Sequence, residues 1–497
     1  MTLDAVNGRA YVSGKPLQVI RIDMDKNEVV VNDEAMDILQ KNIEDTGVTR
    51  LSIVSMMGAF RTGKSFMLDV FLRYLRFGDA VGPDHQPHLP NVPRDQEYPV
   101  PEWLLKEGEN LKDGDGKSGF HWRGGMEKCT EGIWIWSRPF VRKLPGSEEK
   151  VAVIIMDTQG AWDSRLTKEQ SATVFGLTAV LSSKQIYNIS KQIQEDKIGN
   201  LHYFMEFANA AIRVQGGGSE EEAKAFQTLE FLVRDWPNFE DDWERTRCEM
   251  QAKAHLAAHM DPNQAADGTA TIEALHNMFN NITAYCLPHP GLKIEKSNWT
   301  GDIADLDRDF LRFLDAYVHT VFDKDLAAKS IMNQDLTGKS FGPILRAFVE
   351  AFKDAAPAAT SFADAMSQST SLLAKDAAFK KYSDDMEQFL KVSAGVKPEL
   401  LEEKNKQLTE NAVQAFKHKA CFGTNEKIDE FKQELVADIV REYVNFQAKN
   451  SRKLEQALAA FGGLALVAAS AFLIDRITDW TCTLEFSFAN FVFLFTL

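Results

Sequence analysis

The chain has 497 residues, of which 44% are hydrophobic and 26% charged, and its formal net charge is −16. This length exceeds one typical domain, and the composition predicts a buried core and excludes a chain dominated by disorder. The acidic balance argues against nucleic acid as the main partner, because nucleic-acid-binding proteins usually carry a basic surface. The five cysteines are widely spaced without a CxxC pair, and residues 1–14 lack the apolar core of a signal peptide. Both features predict reduced thiols in the cytosol.

Three mainly apolar runs predict buried strands at residues 51–57, 151–156 and 229–233, and the second of them has six apolar residues in a row. The first run leads into glycine-rich sequence and then into the helical spacing of apolar residues from Phe66 to Tyr74, which indicates a strand, a loop and a helix. Alternation of such strands with helical patterns predicts an α/β domain with a mostly parallel sheet over residues 1–320.

Strand signals stop near residue 320, and the spacing of apolar residues becomes helical. Residues 341–447 are predicted to form two or three long helices packed as a bundle, and residues 321–340 a linker that serves as a hinge. One apolar stripe of this bundle consists of Ile428, Phe431, Leu435, Ile439, Tyr443 and Phe446.

A hydrophobic region at residues 454–497 ends the chain. Residues 457–474 are 18 residues without a charge, preceded by Arg452 and Lys453. As a helix they would rise about 27 Å, close to the roughly 30 Å of a hydrocarbon core, which favours a membrane segment over a buried core helix. The last apolar run, residues 486–497, has 12 residues and is too short to span as a straight helix, so a re-entrant or truncated segment is expected.

Residues 58–65 read GAFRTGKS and fit the phosphate-binding pattern GxxxxGK[ST]. Glycines let main-chain N–H groups wrap a phosphate, and the helix beginning near Lys64 directs the positive end of its dipole at the same anion. Lys64 is predicted to reach the β- and γ-phosphates, and Ser65 to ligate Mg²⁺. A second GKS at residues 338–340 has Asn333 in place of the first glycine and lies in a helical region, so it is not expected to bind phosphate.

The string DTQG at residues 157–160 directly follows the apolar run 151–156. An aspartate at the end of a buried strand is placed to hold Mg²⁺, usually through water, and Gly160 can offer its N–H to the γ-phosphate. In a chain with a phosphate loop this favours a GTPase over other nucleotide-using proteins. Thr130, in the loop 124–132, is either a residue that closes over Mg²⁺ and orders the attacking water or an ordinary loop threonine.

Recognition of guanine requires a carboxylate that accepts hydrogen bonds from the N1 and N2 donors of the base. No [NT]KxD string occurs, and Asp235, which follows Arg234 after the run 229–233, is the candidate. His255 and His259 are four residues apart, but without a glutamate at 256 they are better explained as helix-surface histidines than as zinc ligands.

Several longer strings closely resemble one family, the atlastins, which are dynamin-superfamily GTPases that fuse membranes of the endoplasmic reticulum. They include GAFRTGKSF at 58–66, GFHWRGGMEKCTEGIWIW at 119–136, DTQGAWDS at 157–164, VRDW at 233–236 and LPHPGLK at 287–293. The resemblance runs from about residue 17 to 447. It stops at the C-terminus, where the family has a second full membrane segment and an amphipathic tail. The related guanylate-binding proteins share the Arg-Asp guanine motif but not the longer strings.

The resemblance implies the roles of further residues. Arg61 would be an internal arginine finger that neutralises charge on the transferring γ-phosphoryl group. Thr130 would be the switch I threonine, Asp157 and Gly160 would belong to switch II, and Arg234 and Asp235 would read guanine. Arg61, Lys64 and Thr130 would thus be catalytic, and Ser65, Thr130 and Asp157 would surround Mg²⁺. The implied GTP-binding residues are Gly58, Arg61, Thr62, Gly63, Lys64, Ser65, Phe66, Asp157, Gly160, Arg234, Asp235, Cys286, Pro288 and His289.

The same resemblance implies a protein anchored in the endoplasmic reticulum membrane with its GTPase head in the cytosol. The heads would form a homodimer, and movement of the bundle would draw two membranes together until they fuse. Two alternatives stay open. One is a GTPase similar to guanylate-binding proteins that assembles on membranes without fusing them, and the other is a tethering or shaping protein that uses GTP as a dimerisation switch.

Overall fold

The computed structural model of the protein comprises two compact units, residues 1–373 and residues 374–497. The residues that the structure describes are 3–6, 9–12, 14–23, 28–58, 63–82, 89–90, 92–93, 96–105, 111, 119–120, 132–158, 168–194, 198, 201, 224–239, 245–260, 269–294, 296, 299–331, 333–351, 359–420 and 425–480.

A nine-stranded sheet forms the centre of the first unit, and two short hairpins, β1–β2 and β12–β13, accompany it. The described strands are β1 (Leu3–Val6), β2 (Arg9–Val12), β3 (Pro16–Asp23), β4 (Glu28–Val31), β5 (Arg50–Gly58), β6 (Ile133–Trp136), β7 (Phe140–Lys143), β8 (Lys150–Thr158), β9 (Lys184–Ser190), β10 (Phe226–Arg234), β11 (Phe279–Cys286), β12 (Ser330–Ile331) and β13 (Gln334–Asp335). The strand order is β11-β10-β9-β5-β8-β6-β3-β4, and β7 pairs with β8 beside this path.

The sheet is mixed, and this corrects part of the sequence prediction. The five strands β11, β10, β9, β5 and β8 pair in parallel, and they include the three apolar runs that predicted buried strands. The pairs β6–β8, β7–β8, β3–β6 and β3–β4 are antiparallel. The connections from β3 to β4 and from β7 to β8 are short, and parallel pairing of these strands would need a longer crossover. β6 and β7 run in the same direction and pair in turn with the two ends of β8. The predicted α/β domain followed by a helical region is confirmed, but the sheet is parallel only in one half.

The described helices are α1 (Asp33–Glu44), α2 (Lys64–Val81), α3 (Glu102–Leu105), α4 (Lys168–Leu181), α5 (Arg245–Met260), α6 (Thr269–Met278), α7 (Arg308–His319), α8 (Gly338–Ala351), α9 (Ala359–Lys391), α10 (Pro398–Lys419) and α11 (Asn425–Trp480). A π-helical turn, Thr320–Lys324, continues α7. The second GKS string lies at the first turn of α8. The long helix α2 packs against β5, β7 and β8 and fills the core with residues such as Phe71 and Leu75.

Parallel pairing brings several strand ends to one edge of the sheet. Gly58 ends β5, Thr158 ends β8, Arg234 ends β10 and Cys286 ends β11. Ligands of open α/β sheets bind outside the carboxyl ends of the strands, where the loops meet. The fold therefore brings Gly58, Asp157 and the Arg-Asp pair to one edge, although they are far apart in the sequence.

A buried ion pair interrupts the predicted apolar run of β10. Glu230 is 2% exposed, and its Oε2 lies 2.9 Å from Lys184 Nζ of β9. Asp325 Oδ2 lies 3.1 Å from the same ammonium group, and Tyr317 Oη donates to Glu230 Oε1 at 2.7 Å. Burial alone would lower the pKa of Lys184, but the two carboxylates outweigh it and raise the pKa. The charged side chains are tolerated inside the sheet because each has a charged or hydrogen-bonded partner.

The segment predicted as a hinge is hydrogen-bonded to the start of β5, at the edge opposite the motifs. Lys329 N–H donates to Leu51 O at 2.6 Å, Leu51 N–H donates to Leu336 O at 3.3 Å, and Gly338 N–H donates to Thr49 O at 3.1 Å. The side chain of Lys329 is fully buried, and its Nζ donates to Ser182 O at 3.0 Å. Burial lowers the pKa of Lys329 to about 7.

This buried lysine makes stability depend on pH. The folded chain holds Lys329 with a pKa of about 7, against an ordinary value of 10.5, so between these values the unfolded chain binds more protons. Its contribution to the free energy of unfolding therefore rises with pH across that window. We expect Lys329→Met to raise the melting temperature relative to the wild type more at pH 6 than at pH 9.5. The substitution removes the hydrogen bond to the Ser182 carbonyl at both pH values. The difference between the two melting-temperature shifts therefore reports the charge of Lys329.

The matched control for this prediction is Lys339→Met, because Lys339 is exposed on α8. Its effect on the melting temperature is expected to be small at both pH values. Equal shifts for Lys329→Met at the two pH values would show that Lys329 does not carry the pH dependence.

In the second unit, α9, α10 and α11 pack around one hydrophobic core. From the predicted stripe, Leu435, Ile439 and Phe446 are buried, and Ile428, Phe431 and Tyr443 pack against them. The opposing helices contribute Tyr382, Met386, Leu401, Leu408 and Phe416. Among the residues that the structure describes, no helix combines the length and apolarity needed to cross a membrane.

Candidate nucleotide site

The phosphate-binding pattern lies between the end of β5 and the start of α2. A Cβ on Gly58 would lie 2.2 Å from the main-chain oxygen of Asn188 in β9, so the two strands approach too closely there for a side chain. Gly63 precedes α2 with a φ of 80°, a left-handed conformation that favours glycine. Met67 N–H donates to Gly63 O at 3.1 Å, which closes the first turn of the helix. Both glycines of the pattern are therefore demanded by the backbone.

The first residues of α2 lie partly at the edge of the sheet where β5 ends and partly in the core. Lys64 opens the helix and is 7% exposed, whereas the side chain of Phe66 packs in the core beneath α2. Anions are stabilised at helix N-termini because the first N–H groups have no partner within the helix. Because the side chain of Phe66 packs in the core, Phe66 can contact a phosphate only through its main chain.

Ser65 and Asp157, the two predicted magnesium residues within the described structure, are in direct contact. Ser65 Oγ donates to Asp157 Oδ2 at 2.8 Å, and Asp157 Oδ1 accepts from Thr158 N–H at 2.9 Å. Asp157 is 1% exposed and lies opposite Met56 in the parallel register of β8 and β5. Hydroxyl and carboxylate oxygens are the donors that Mg²⁺ prefers, so this pair fits that ion.

Mg²⁺ bound with a nucleotide usually takes only one or two protein ligands and completes its shell with water and phosphate oxygens. In the described part of the chain, no cluster of three or more His, Cys, Asp or Glu residues is placed to hold a metal.

Arg234 lies beside the phosphate loop. Its Nη1 is 3.0 Å from the position that a Cβ on Gly63 would take, and the residue is 6% exposed. Burial lowers the pKa of its guanidinium, although the neighbouring Asp235 carboxylate opposes this. Among the described residues, Arg234 Nε and Nη1 find no hydrogen-bond acceptor despite being buried. Buried N–H groups without acceptors are costly, which indicates that another group supplies an acceptor when the site is in use.

Asp235 follows β10 with a φ of 57°, a left-handed conformation that aspartate tolerates better than most residues. Three loops meet around it and are joined by main-chain hydrogen bonds. Lys191 N–H donates to Arg234 O at 2.6 Å, and Trp236 N–H donates to Leu287 O at 3.0 Å. The loops after β9, β10 and β11 therefore form one continuous rim around the predicted guanine-reading residue.

The predicted base-capping loop begins with buried residues. Cys286 is 5% exposed, and burial, together with the nearby Cys248, raises the pKa of its thiol to about 12. A protonated, buried thiol is unreactive. Pro288 is also buried, while His289 is half-buried and its Nδ1 accepts from Gly291 N–H at 3.1 Å. The first exposed residue of this loop is Leu292, which is 76% exposed.

His255 supports the rim, a role that the spacing of His255 and His259 did not reveal. Its Nε2 accepts from Ile193 N–H at 2.9 Å, and its ring lies 4.6 Å from the ring of Trp236. Burial, with a smaller effect of His259, lowers the pKa of His255 to about 4, so the ring is neutral and can accept that bond at neutral pH. His255 thus connects α5 to two of the loops that surround Asp235. No local pattern could have found it, because its partners come from other strands.

Four predicted site residues, Arg61, Thr62, Thr130 and Gly160, lie outside the residues that the structure describes. Of the others, Gly58, Gly63, Lys64, Ser65 and Asp157 lie at the junction of β5, β8 and α2. Arg234 joins this group through Gly63, and Asp235 with the loop after β11 forms the neighbouring rim.

Two family models match the chain. The model of the guanylate-binding protein N-terminal domain covers residues 26–330, and that of the guanylate-binding protein C-terminal domain covers residues 333–458. Atlastin-2 of Homo sapiens is 32% identical over 449 residues, which are 88% of this chain and 70% of the relative. Atlastin-3 of Mus musculus is 32% identical over 457 residues, 90% of this chain and 78% of the relative. Atlastin of Drosophila melanogaster is 30% identical over 452 residues, 89% of this chain and 76% of the relative.

The phosphate loop, the buried aspartate beside its serine and the match to the guanylate-binding domain define a GTP-binding, GTP-hydrolysing enzyme. Similarity over 88–90% of the chain narrows the class further. The chain belongs to the atlastin family of guanylate-binding-protein-related GTPases, which confirms the resemblance noted from its motifs.

Proposed function

We propose that this GTPase binds GTP together with Mg²⁺ at the edge of the sheet where β5, β8, β10 and β11 end. The observation that carries the proposal is the 2.8 Å contact of Ser65 Oγ with Asp157 Oδ2 beside the N-terminus of α2. In GTPases, a hydroxyl and a carboxylate in these positions serve one magnesium ion. Bound Mg²⁺ would neutralise charge on the β- and γ-phosphate oxygens during transfer.

The side chains of the site have distinct tasks in this proposal. Lys64 binds the β- and γ-phosphates, and the main chain from Gly58 to Phe66 surrounds them. Arg234 Nε and Nη1 donate to an acceptor that the bound nucleotide brings to the buried guanidinium. Asp235 accepts from guanine N1 and N2, and the loop with Cys286, Pro288 and His289 covers the base. Thr130 and Gly160 position the attacking water and the γ-phosphate.

Arg61 is assigned to the transition state and not to binding. We expect Arg61→Ala to leave GTP affinity nearly unchanged and to slow turnover about 10³-fold or more, because a guanidinium stabilises charge that develops only during phosphoryl transfer. Equilibrium binding of labelled GTP and single-turnover release of phosphate measure the two effects separately. The matched control is Arg346→Ala, which removes an exposed arginine of α8 paired with Asp33. Unchanged turnover in Arg61→Ala would remove this role.

We assign residues 1–320 to the GTPase domain, 321–340 to a hinge, 341–447 to a helical bundle and 454–497 to a membrane anchor. The two family matches meet within the hinge, which supports this division. The uncharged run 457–474 supports the anchor, as do exposed apolar side chains on α11. The exposed fraction is 71% for Leu458, 73% for Leu466 and 64% for Phe472. Solvent-exposed apolar patches of this kind mark interaction surfaces, including surfaces for lipid.

With this architecture, the protein is a membrane-anchored GTPase of the endoplasmic reticulum whose head faces the cytosol. GTP would pair the heads of two molecules on opposing membranes, and hydrolysis with movement of the bundle would draw the membranes together until they fuse. The family membership supports this function, and the hydrophobic region at residues 454–497 supplies the attachment that it needs.

The test is lipid mixing between two populations of vesicles that carry the full chain, with GTP, with a non-hydrolysable GTP analogue and without nucleotide. Mixing of lipids that requires GTP and is absent with the analogue supports fusion. Clustering of vesicles with GTP but without lipid mixing would instead favour a GTPase that assembles on membranes. Clustering that the analogue supports equally well, without lipid mixing under any nucleotide condition, would favour a tethering protein that uses GTP as a dimerisation switch. Either result overturns the proposed fusion activity.

A further inference from the structure

The loop between α9 and α10 lies at the end of the second unit where α11 continues toward the hydrophobic region. Asn450 of α11 exchanges two hydrogen bonds with Val396, Nδ2 to Val396 O and Val396 N–H to Oδ1, both at 2.8 Å. Lys453 Nζ donates to Leu390 O at 2.5 Å and to Ser393 O at 3.2 Å. The loop is therefore fixed against the part of α11 that directly precedes residues 457–474.

This end of the unit carries four exposed cations that form no ion pair within the described structure. They are Lys391, Lys397, Lys449 and Arg452. Lys449 Nζ lies 4.9 Å from the ring centre of Phe446, which holds it beside the loop. Nearby carboxylates belong to Asp384, Glu387, Glu399 and Glu455, and none of them is paired with these cations. Residues 391–397 and 446–453 together contain five basic side chains, the four named above and Lys453, and no carboxylate. These two segments are therefore positively charged in a chain whose net charge is −16, and Asp384 and Glu387 border the neighbouring groove.

An exposed apolar residue lies among the cations. Val392, at the start of the loop, is 88% exposed, more than any other large hydrophobic residue in the described part of the chain. A groove of about 820 Å³ runs beside it, lined by Lys391, Val392, Phe446, Lys449 and Arg452 among others. Cationic and apolar side chains at one surface are the combination that favours the interface of a membrane, because the cations bind headgroups and the apolar residue enters the acyl boundary.

The positions of Lys449 and Arg452 on α11 set the distance between these cations and the hydrophobic run 457–474. Arg452 and Ala457 lie in one continuous helix, five residues apart, which corresponds to a rise of about 8 Å. This is about one Debye length at physiological ionic strength, the range within which an anionic bilayer attracts basic side chains. If residues 457–474 enter a bilayer, the cluster is therefore held at the height of the headgroups.

We propose that the surface formed by residues 391–397 and 446–453, here named the basic end, binds anionic lipid headgroups. This inference rests on the proposed membrane attachment through residues 457–474. A second copy of the chain fits the surface less well, because two identical basic ends would repel each other. The charge complementarity therefore favours an anionic bilayer as the occupant.

The experiment measures amide hydrogen exchange in the full chain, reconstituted into vesicles of phosphatidylcholine alone or with added phosphatidylserine. Exchange in peptides that cover residues 391–397 is expected to slow several-fold when phosphatidylserine is present, and to recover in high salt. The triple variant Lys391→Glu, Lys449→Glu, Arg452→Glu is expected to lose this protection. The matched control, Lys380→Glu, Lys406→Glu, Lys417→Glu, changes the charge equally at exposed positions elsewhere on the second unit and is expected to keep it.

The outcomes separate the inference from the proposal on which it rests. A chain that does not float with either vesicle population overturns the membrane attachment. A chain that floats with both but shows equal exchange in the loop overturns only the lipid-binding surface. If slower exchange instead depended on the amount of protein per vesicle at constant lipid composition, the basic end would form contacts between copies of the chain. If inorganic phosphate slowed exchange on phosphatidylcholine vesicles, the basic end would bind free anions. Each of these last two results also overturns the proposal.

Discussion

Replacing Lys64 by alanine is expected to abolish GTP binding at nucleotide concentrations that saturate the wild type. Lys64 opens α2 and is 7% exposed, so a phosphate that it binds is largely shielded from water there. Charge-assisted hydrogen bonds are about twice as strong as neutral ones, and each contributes roughly 1.5–3 kcal/mol. An ammonium group that reaches two phosphates would therefore account for a loss of about 10² to 10⁴ in affinity. Binding of labelled GTP to the purified protein in excess Mg²⁺ measures the effect.

The chain offers an internal control for this prediction. Lys339 belongs to the second GKS string, which the structure places at the first turn of α8, where it is exposed. Lys339→Ala removes the same side chain from the same tripeptide, and GTP affinity is expected to stay at the wild-type value. If Lys64→Ala bound GTP normally, the phosphate site would have to be sought elsewhere in the chain.

The second large effect is expected from Asp235→Asn, which should change the preferred base. A carboxylate accepts from N1–H and the N2 amino group of guanine, whereas an amide places a donor opposite that amino group. Xanthine has a carbonyl oxygen at that position and accepts from the amide. Sites that hydrogen-bond a substrate group reject analogues without it by about 10⁴-fold to 10⁵-fold. Asp235 has a φ of 57°, and asparagine tolerates this conformation as well, so the backbone is preserved.

Competition of GTP and XTP for the wild type, Asp235→Asn and Asp235→Ala distinguishes loss of binding from reversal of preference. The alanine variant is expected to lose GTP without gaining XTP, and only the asparagine variant is expected to favour XTP. An asparagine variant that retained the wild-type preference for GTP would assign base recognition to another residue.

His255 lies on α5, outside the three loops around Asp235, but it contacts two of them. The ring accepts from Ile193 N–H and packs on Trp236, so it connects the loops after β9 and β10 to α5. Neutrality is needed for that acceptance, and the burial that lowers its pKa to about 4 supplies it. The spacing of His255 and His259 gave no hint of this, because four-residue spacing reports only a shared helix face.

The sequence by itself determined the phosphate loop, the strand and helix that flank it, and the aspartate at the end of β8. These features are local in the sequence: the two glycines stand at the fixed spacing of the phosphate-binding pattern, and Asp157 directly follows its own apolar run. Mainly apolar runs also predicted three of the parallel strands correctly, because strands covered on both faces are rich in apolar residues. The apolar stripe of α11 was likewise predictable from its helical period.

Tertiary structure alone decided which distant residues meet. It placed the Arg234 guanidinium against Gly63, paired Ser65 with Asp157, and buried Glu230, the one charged residue of its apolar run, beside Lys184. It also made half of the sheet antiparallel, since short connections prevent a crossover. The physical reason is common to all of these. Hydrophobic period and glycine geometry are properties of neighbouring residues, whereas an ion pair, a close approach or a strand partner depends on chain segments that only folding brings together.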